Sequence, residues 1–155
     1  MKVQFGLEGD GQSELSVGLN KVLANTYSLY INTLNCHWNI EDPSFIALHE
    51  MFQSQYEDLA EAGDLLGERL RQMGEKVPAS LRFFAENSSF EDIDEHASAK
   101  QMITQLASFH EKAIISLRDL SDIAEKYKDY GLVDLLGSLL REHEKTAWFL
   151  RSHVV

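Results

Sequence analysis

The chain has 155 residues, 44% of them hydrophobic, and a formal net charge of −11. This length and apolar share suit one domain with a substantial core and exclude a disordered chain, while the acid excess argues against a generic nucleic-acid surface, which needs clustered Lys and Arg. The single cysteine, Cys36, excludes an internal disulfide framework, and no apolar run approaches a membrane span.

The opening MKVQFGLEGDGQSEL lacks the apolar core of a signal peptide and is read as a short acidic tail over about residues 1–12, in a cytoplasmic protein. A first helix is expected over residues 13–38, because Leu15, Leu19, Val22, Leu23, Tyr27, Tyr30, Ile31 and Leu34 recur at helical spacing. Asn39 to Asp42 break the pattern. Pro43 suits the first turn of a second helix over residues 43–73, with Gly74 as its stop. Residues 75–95 form a long connection, in which Pro78 is expected to open a short helix carrying Leu81, Phe83 and Phe84. A third helix is expected over residues 97–128, a break at Gly131, and a fourth helix over residues 132–152. No segment alternates apolar and polar residues over a strand length, so the fold class is all-α: a four-helix bundle with a short extra helix in the long connection.

The stretch NCHWNIEDPSFIALHE at residues 35–50 sets two of the six histidines, His37 and His49, beside the first break. His49-Glu50 begins the HExxH pattern, but Gln53 occupies the position of the second histidine and excludes a zinc-protease helix. The residues three before each histidine are Leu34, Ile46, Ile93, Ala107, Leu140 and Leu150, so the Glu-x-x-His motif of a di-iron site inside one bundle is absent. His96, His110, His143 and His153 have no partners at ligand spacing and are read as structural. Cys36 is read as a small buried apolar residue.

Asp64 and Glu68 stand one turn apart on the second helix and share a broad face with His49. At 1.5 Å per residue, Asp64 lies about 22 Å along the helix from His49, beyond the reach of one metal within one chain. If the second helix packs antiparallel on its own copy across a two-fold axis, His49 of one chain approaches Asp64 and Glu68 of the other. His37 can join them, giving a mixed nitrogen and oxygen set suited to iron or zinc. Gly63 and Gly67, each preceding a carboxylate, would let a partner helix come close. On spacing alone a plainer reading stays open: an exposed acidic pair, tolerated glycines and two hydrogen-bonded structural histidines.

HWN, a proline-containing turn, LHE, then D-x-x-x-E followed by R-L-R-x-M-G, with LLREHEKTAWFLRS in the last helix, resembles the Dps family, the mini-ferritins, over most of the chain. The resemblance implies one ferritin-like domain over residues 1–155 and a hollow homododecamer built from two-fold dimers. It implies ferroxidase sites at the dimer interfaces, where Fe2+ is oxidised, preferably by hydrogen peroxide, and passed inward as ferric mineral. His37 and His49 look like the nitrogen ligands from one subunit, and Asp64 and Glu68 like the carboxylate ligands from its mate. Trp38 resembles the tryptophan beside this site, a role compatible with a packed interface aromatic. Iron is the metal implied, with zinc a substitute at the same place.

One position departs from the pattern. The family usually carries a carboxylate four residues after the second histidine, and this chain has Gln53. A neutral amide offers an oxygen without charge, so one firm iron position and a weaker second are expected, with Glu50 or Glu57 available to compensate. Glu125, Asp129 and Asp134 are candidates for acids lining symmetry-related pores. Two other functions stay in view: a nonspecific DNA-coating protein, against which the acidic tail argues, and a shell whose ferroxidase activity is weakened or lost through Gln53.

Overall fold

The structure, a computed structural model, describes residues 6, 7 and 10–154; most of the expected acidic tail lies outside the described residues. The described residues form five helices and no strand: α1 (Gly11–Asn39), α2 (Phe45–Gln72), α3 (Leu81–Asn87), α4 (Ala99–Lys126) and α5 (Tyr130–Ser152). The four long helices and the short α3 answer to the periodicities in the sequence. None is long and apolar enough to cross a membrane.

The helices pair as two hairpins, α1 with α2 and α4 with α5, joined mainly through α1 and α4. Contact between α2 and α5 is sparse. Leu15, Leu19, Leu66, Leu70, Leu132 and Leu136 anchor the core at one end of the bundle, and Phe52, Leu59, Met102, Leu106 and Leu150 anchor it at the other. The long connection is tied along α1 by asparagines on that helix. Asn25 accepts from the Ser89 amide at 2.8 Å, Asn32 accepts from the Ile93 amide at 2.7 Å, and Asn35 donates to the Ile93 carbonyl at 2.7 Å. These bonds satisfy backbone groups of Ser89 and Ile93 where the connection, past α3, has no helix or strand of its own.

Helix ends follow capping chemistry, in three places against expectation, the first being Pro43, which stands just before the Ser44 cap position of α2 rather than in its first turn. Gly74 has φ +89, and the Glu75 amide bonds back to the Leu70 carbonyl, the left-handed stop expected of a glycine there. The break between α4 and α5 falls not at Gly131 but at Lys128, which takes φ +58 while the Asp129 amide reaches back to the Ala124 carbonyl. A left-handed lysine costs roughly 1–2 kcal/mol, and buried Asp129 offsets it. Its carboxylate accepts from the Leu132 amide at 3.0 Å to cap α5 and meets Arg69 of α2 at 2.5 and 2.7 Å. Gly131 lies inside the first turn of α5. Likewise Pro78 does not open α3; Ser80 does, accepting from the Phe83 amide at 3.1 Å.

Candidate metal centre

The turn of residues 40–44 is short, so the end of α1 and the start of α2 stay side by side. Asp42 holds it by accepting from the Ser44 amide at 2.8 Å. The consequence is a reciprocal lock. His37 Nδ1 bonds to the carbonyl of His49, and His49 Nδ1 bonds to the carbonyl of His37, both at 2.8 Å. A carbonyl only accepts, so each Nδ1 carries the hydrogen, and each neutral ring keeps its lone pair on Nε2. The rings stack with centroids 3.7 Å apart and 16° between planes. This is the tautomer and orientation control that a metal-binding imidazole needs.

Aromatic rings fix the pair from both sides. Phe45 stacks on His49 at 4.9 Å, and Tyr56 meets His37 edge-on at 5.2 Å, itself edge-on to Tyr30 at 6.0 Å. Sequence reasoning missed these supports, although Phe45 and Tyr56 fall at helical spacing from His49. Trp38 is 69% exposed and lines a separate hollow with Glu41, Asp42, Phe45, Glu95 and His96. Gln53, one turn beyond His49, is exposed and donates from its amide nitrogen to Glu57 at 2.9 Å, which leaves the amide oxygen as its acceptor.

Asp64 and Glu68 are exposed on the same unbroken α2 and border a hollow with Tyr27, Gly67, Arg71 and Phe84. About 22 Å of continuous helix separates Asp64 from His49, and about 28 Å separates Glu68 from it. Among the described residues no three His, Cys, Asp or Glu donors gather closely enough to hold a metal. One chain thus brings the histidines together and keeps the carboxylates away from them.

The two glycines part company here. A Cβ on Gly63 would come within 3.0 Å of the Tyr27 ring, so this glycine answers to its own chain rather than to a partner. A Cβ on Gly67 would meet nothing within 4 Å. Three other expectations are corrected or fixed. Asp129 is a buried structural ion-pair and capping residue, not a pore acid, whereas Glu125 and Asp134 are exposed. His110 and His143, read as structural for want of partners at ligand spacing, bond to each other across α4 and α5. Cys36 is fully buried, and burial pushes its thiol up to about 12, as suits an inert apolar residue.

A ferritin-like domain profile matches residues 17–155. DNA protection during starvation protein 2 of Bacillus anthracis is 31% identical over 86% of this chain and 92% of its own length. The chain belongs to the Dps family. An uncharacterized low temperature-induced protein of Nostoc sp. is 34% identical over 99% of this chain and 87% of its own length. Among solved structures, DpsC from Streptomyces coelicolor superposes with a TM-score of 0.95 at 28% identity, covering 100% of this chain and 91% of that one. A Dps protein from Vibrio cholerae, a member of a broad superfamily of ferritin-like diiron-carboxylate proteins, superposes with a TM-score of 0.93 at 26% identity, covering 100% and 98%. The Dps fold is therefore all-α and ferritin-like in this chain, with α3 as the short helix of its long connection.

Proposed function

We propose that this Dps protein oxidises Fe2+ at sites shared between two copies of the chain, preferably with hydrogen peroxide, and stores the ferric product inside a hollow dodecamer. One observation carries the reading: His37 and His49 are locked together where α1 ends and α2 begins, and the exposed carboxylate pair lies about 22–28 Å further along α2, with no third donor near either. An antiparallel two-fold contact along α2 would join His37 and His49 of one copy to Asp64 and Glu68 of the other, twice per dimer. The diiron-carboxylate description of the Vibrio cholerae protein and the DNA-protection name of the Bacillus relative speak for the same chemistry.

Iron enters as substrate. Asp64 and Glu68 supply negative charge that favours Fe3+ over Fe2+, and the neutral imidazoles bind without closing the site to oxidant. Two Fe2+ give one electron each to one peroxide; the O–O bond breaks, two protons are taken up, and two waters leave without hydroxyl radical. Gln53 offers its amide oxygen, oriented by the bond from its nitrogen to Glu57. That ligand carries no charge, so the second iron position is the weaker one. Zinc suits the same donor set and competes for it. Trp38 stands beside the histidine half as an exposed aromatic for the mate to cover. Exposed Glu125 and Asp134 are the acids proposed to draw Fe2+ toward the pores.

With a net charge of −11, the protein guards DNA by removing Fe2+ and peroxide rather than by coating the duplex. A gel shift at low salt is expected to leave duplex DNA unretarded; tight retention would contradict this part of the reading. The shared site has its own test. His49→Ala and Asp64→Ala chains, each assembled alone, lose the peroxide-driven burst of iron oxidation. Refolded together in equal amounts, half the dimers are mixed and each carries one intact site, so about a quarter of the wild-type burst returns. No recovery would place the two residues in separate roles.

A further inference from the structure

A second histidine pair lies inside the bundle, far from the first in sequence. His110 of α4 is 2% exposed and His143 of α5 is 6% exposed, and their Nδ1 atoms stand 2.8 Å apart with the rings tilted by 53°. The other nitrogen of His110, Nε2, is buried without a hydrogen-bond partner. Two polar rings share one bond where apolar side chains would fill the space more cheaply, since an unmet buried polar atom costs roughly 1–3 kcal/mol.

The pair does not sit in closed packing. Because α2 and α5 touch sparsely, a cavity of about 450 Å3 opens between α2, α4 and α5, and both histidines line it together with Asp58, Glu61 and Glu142. Both rings are buried, and their Nδ1–Nδ1 hydrogen bond makes one Nδ1 the donor, so a cation bound between them requires that hydrogen to move to the Nε2 of the same ring. Burial, and then the charge of Glu142, pushes the Asp58 carboxyl up against the opposing pull of Lys145, which lines the same opening.

We infer that His110 and His143 form a second, intra-subunit site for a divalent transition metal, bound through the two Nδ1 atoms. The remaining positions are filled by water held against Asp58 and Glu142. The spacing speaks for the geometry. Two nitrogens at about 2.1 Å from one ion lie roughly 3.0 Å apart at a right angle and roughly 3.4 Å apart at the tetrahedral angle. The 2.8 Å between the hydrogen-bonded nitrogens lies closer to the right-angle spacing, so a six-coordinate ion requires the smaller displacement of the two rings. This site uses none of the residues assigned to iron oxidation and stands independently of that assignment.

Co2+ is the probe, because its visible spectrum separates six-coordinate from tetrahedral binding. Calorimetric titration of the metal-free assembly is expected to find one more Co2+ per chain in the wild type than in His110→Gln or His143→Gln. The iron-oxidation burst of both variants should stay within about twofold. Equal stoichiometry and affinity in wild type and both variants would overturn the assignment. Should either variant fail to assemble, Asp58→Asn and Glu142→Gln, on exposed positions, address the same site. Removing such groups around a metal weakens binding on the order of tenfold, and unchanged affinity would remove the acids from it. Anomalous diffraction from Co2+-soaked wild-type crystals decides independently. A peak within coordination reach of both Nδ1 atoms supports the site, and none there leaves only a hydrogen-bonded pair.

Discussion

Lowering the pH should unlock the bundle through His143. Burial lowers its imidazole from 6.5 in the unfolded chain to about 4 in the folded one. Between those values the unfolded state binds the extra proton, so stability rises with pH and falls as protons are added. The contribution is intact above pH 6.5 and drains away as the pH drops toward 4. At 1.36 kcal/mol per unit the full span is about 3 kcal/mol, and about 2 kcal/mol of it is gone by pH 5. His110 adds in the same direction, lowered first by burial and then by the charge of His143. Titrating carboxylates elsewhere change stability too, so the assay is a difference. Urea unfolding of wild type and His143→Gln is followed by circular dichroism at one fixed protein concentration, because assembly makes apparent stability concentration-dependent. Between pH 7.5 and pH 5 the wild type is expected to lose about 2 kcal/mol more than the variant. Parallel losses would mean that the His143 ring reaches solvent freely, and the description of a buried neutral dyad would be wrong.

Asp129→Ala is expected to destabilise the fold by about 3–5 kcal/mol, since it leaves Arg69 facing an emptied buried site and strips the cap from α5; thermal or urea unfolding measures it, and a loss below about 1 kcal/mol would make the pair a surface contact in energetic terms. Gln53→Asp should raise iron occupancy of the shared site toward two and speed the peroxide burst, read by Fe2+ titration and stopped-flow absorbance. An unchanged stoichiometry and rate would take position 53 out of the ligand set.

Regular apolar spacing made the four long helices and α3 legible in the sequence, because each helix must bury one stripe. Their ends were less legible wherever an unusual residue carried the backbone geometry. Lys128 took the left-handed position that a glycine three residues later was expected to supply, since Asp129 could then reach both the Leu132 amide of α5 and the guanidinium of Arg69. That is a tertiary reason, invisible along one helix. The first histidine pair could be read because a five-residue turn holds its members together. The second could not be read by ligand spacing, since it joins separate helices. A signal was present nonetheless: Leu136, Leu139, Ala147 and Leu150 are buried seven and four residues either side of His143. A histidine in register with an apolar stripe is a buried histidine, and the question that finds its partner is which other stripe carries one. Leu106 and Leu117 give the same answer for His110.

The local costs along α2 show which of its features are complete within one chain. Gly63 weakens a helix by roughly 1 kcal/mol against Ala, and the chain repays it with the Tyr27 ring that a Cβ would crowd. Gly67 costs the same with nothing near it, and Asp64 and Glu68 add like-charge repulsion of a few tenths of a kcal/mol at i,i+4. The His37–His49 lock has no such deficit, since its bonds close within the turn. An isolated chain has no use for an open glycine between two exposed carboxylates. A second α2 lying across it, with its own histidines over Asp64 and Glu68, would fill the space beside Gly67 and bring the cation that offsets the repulsion.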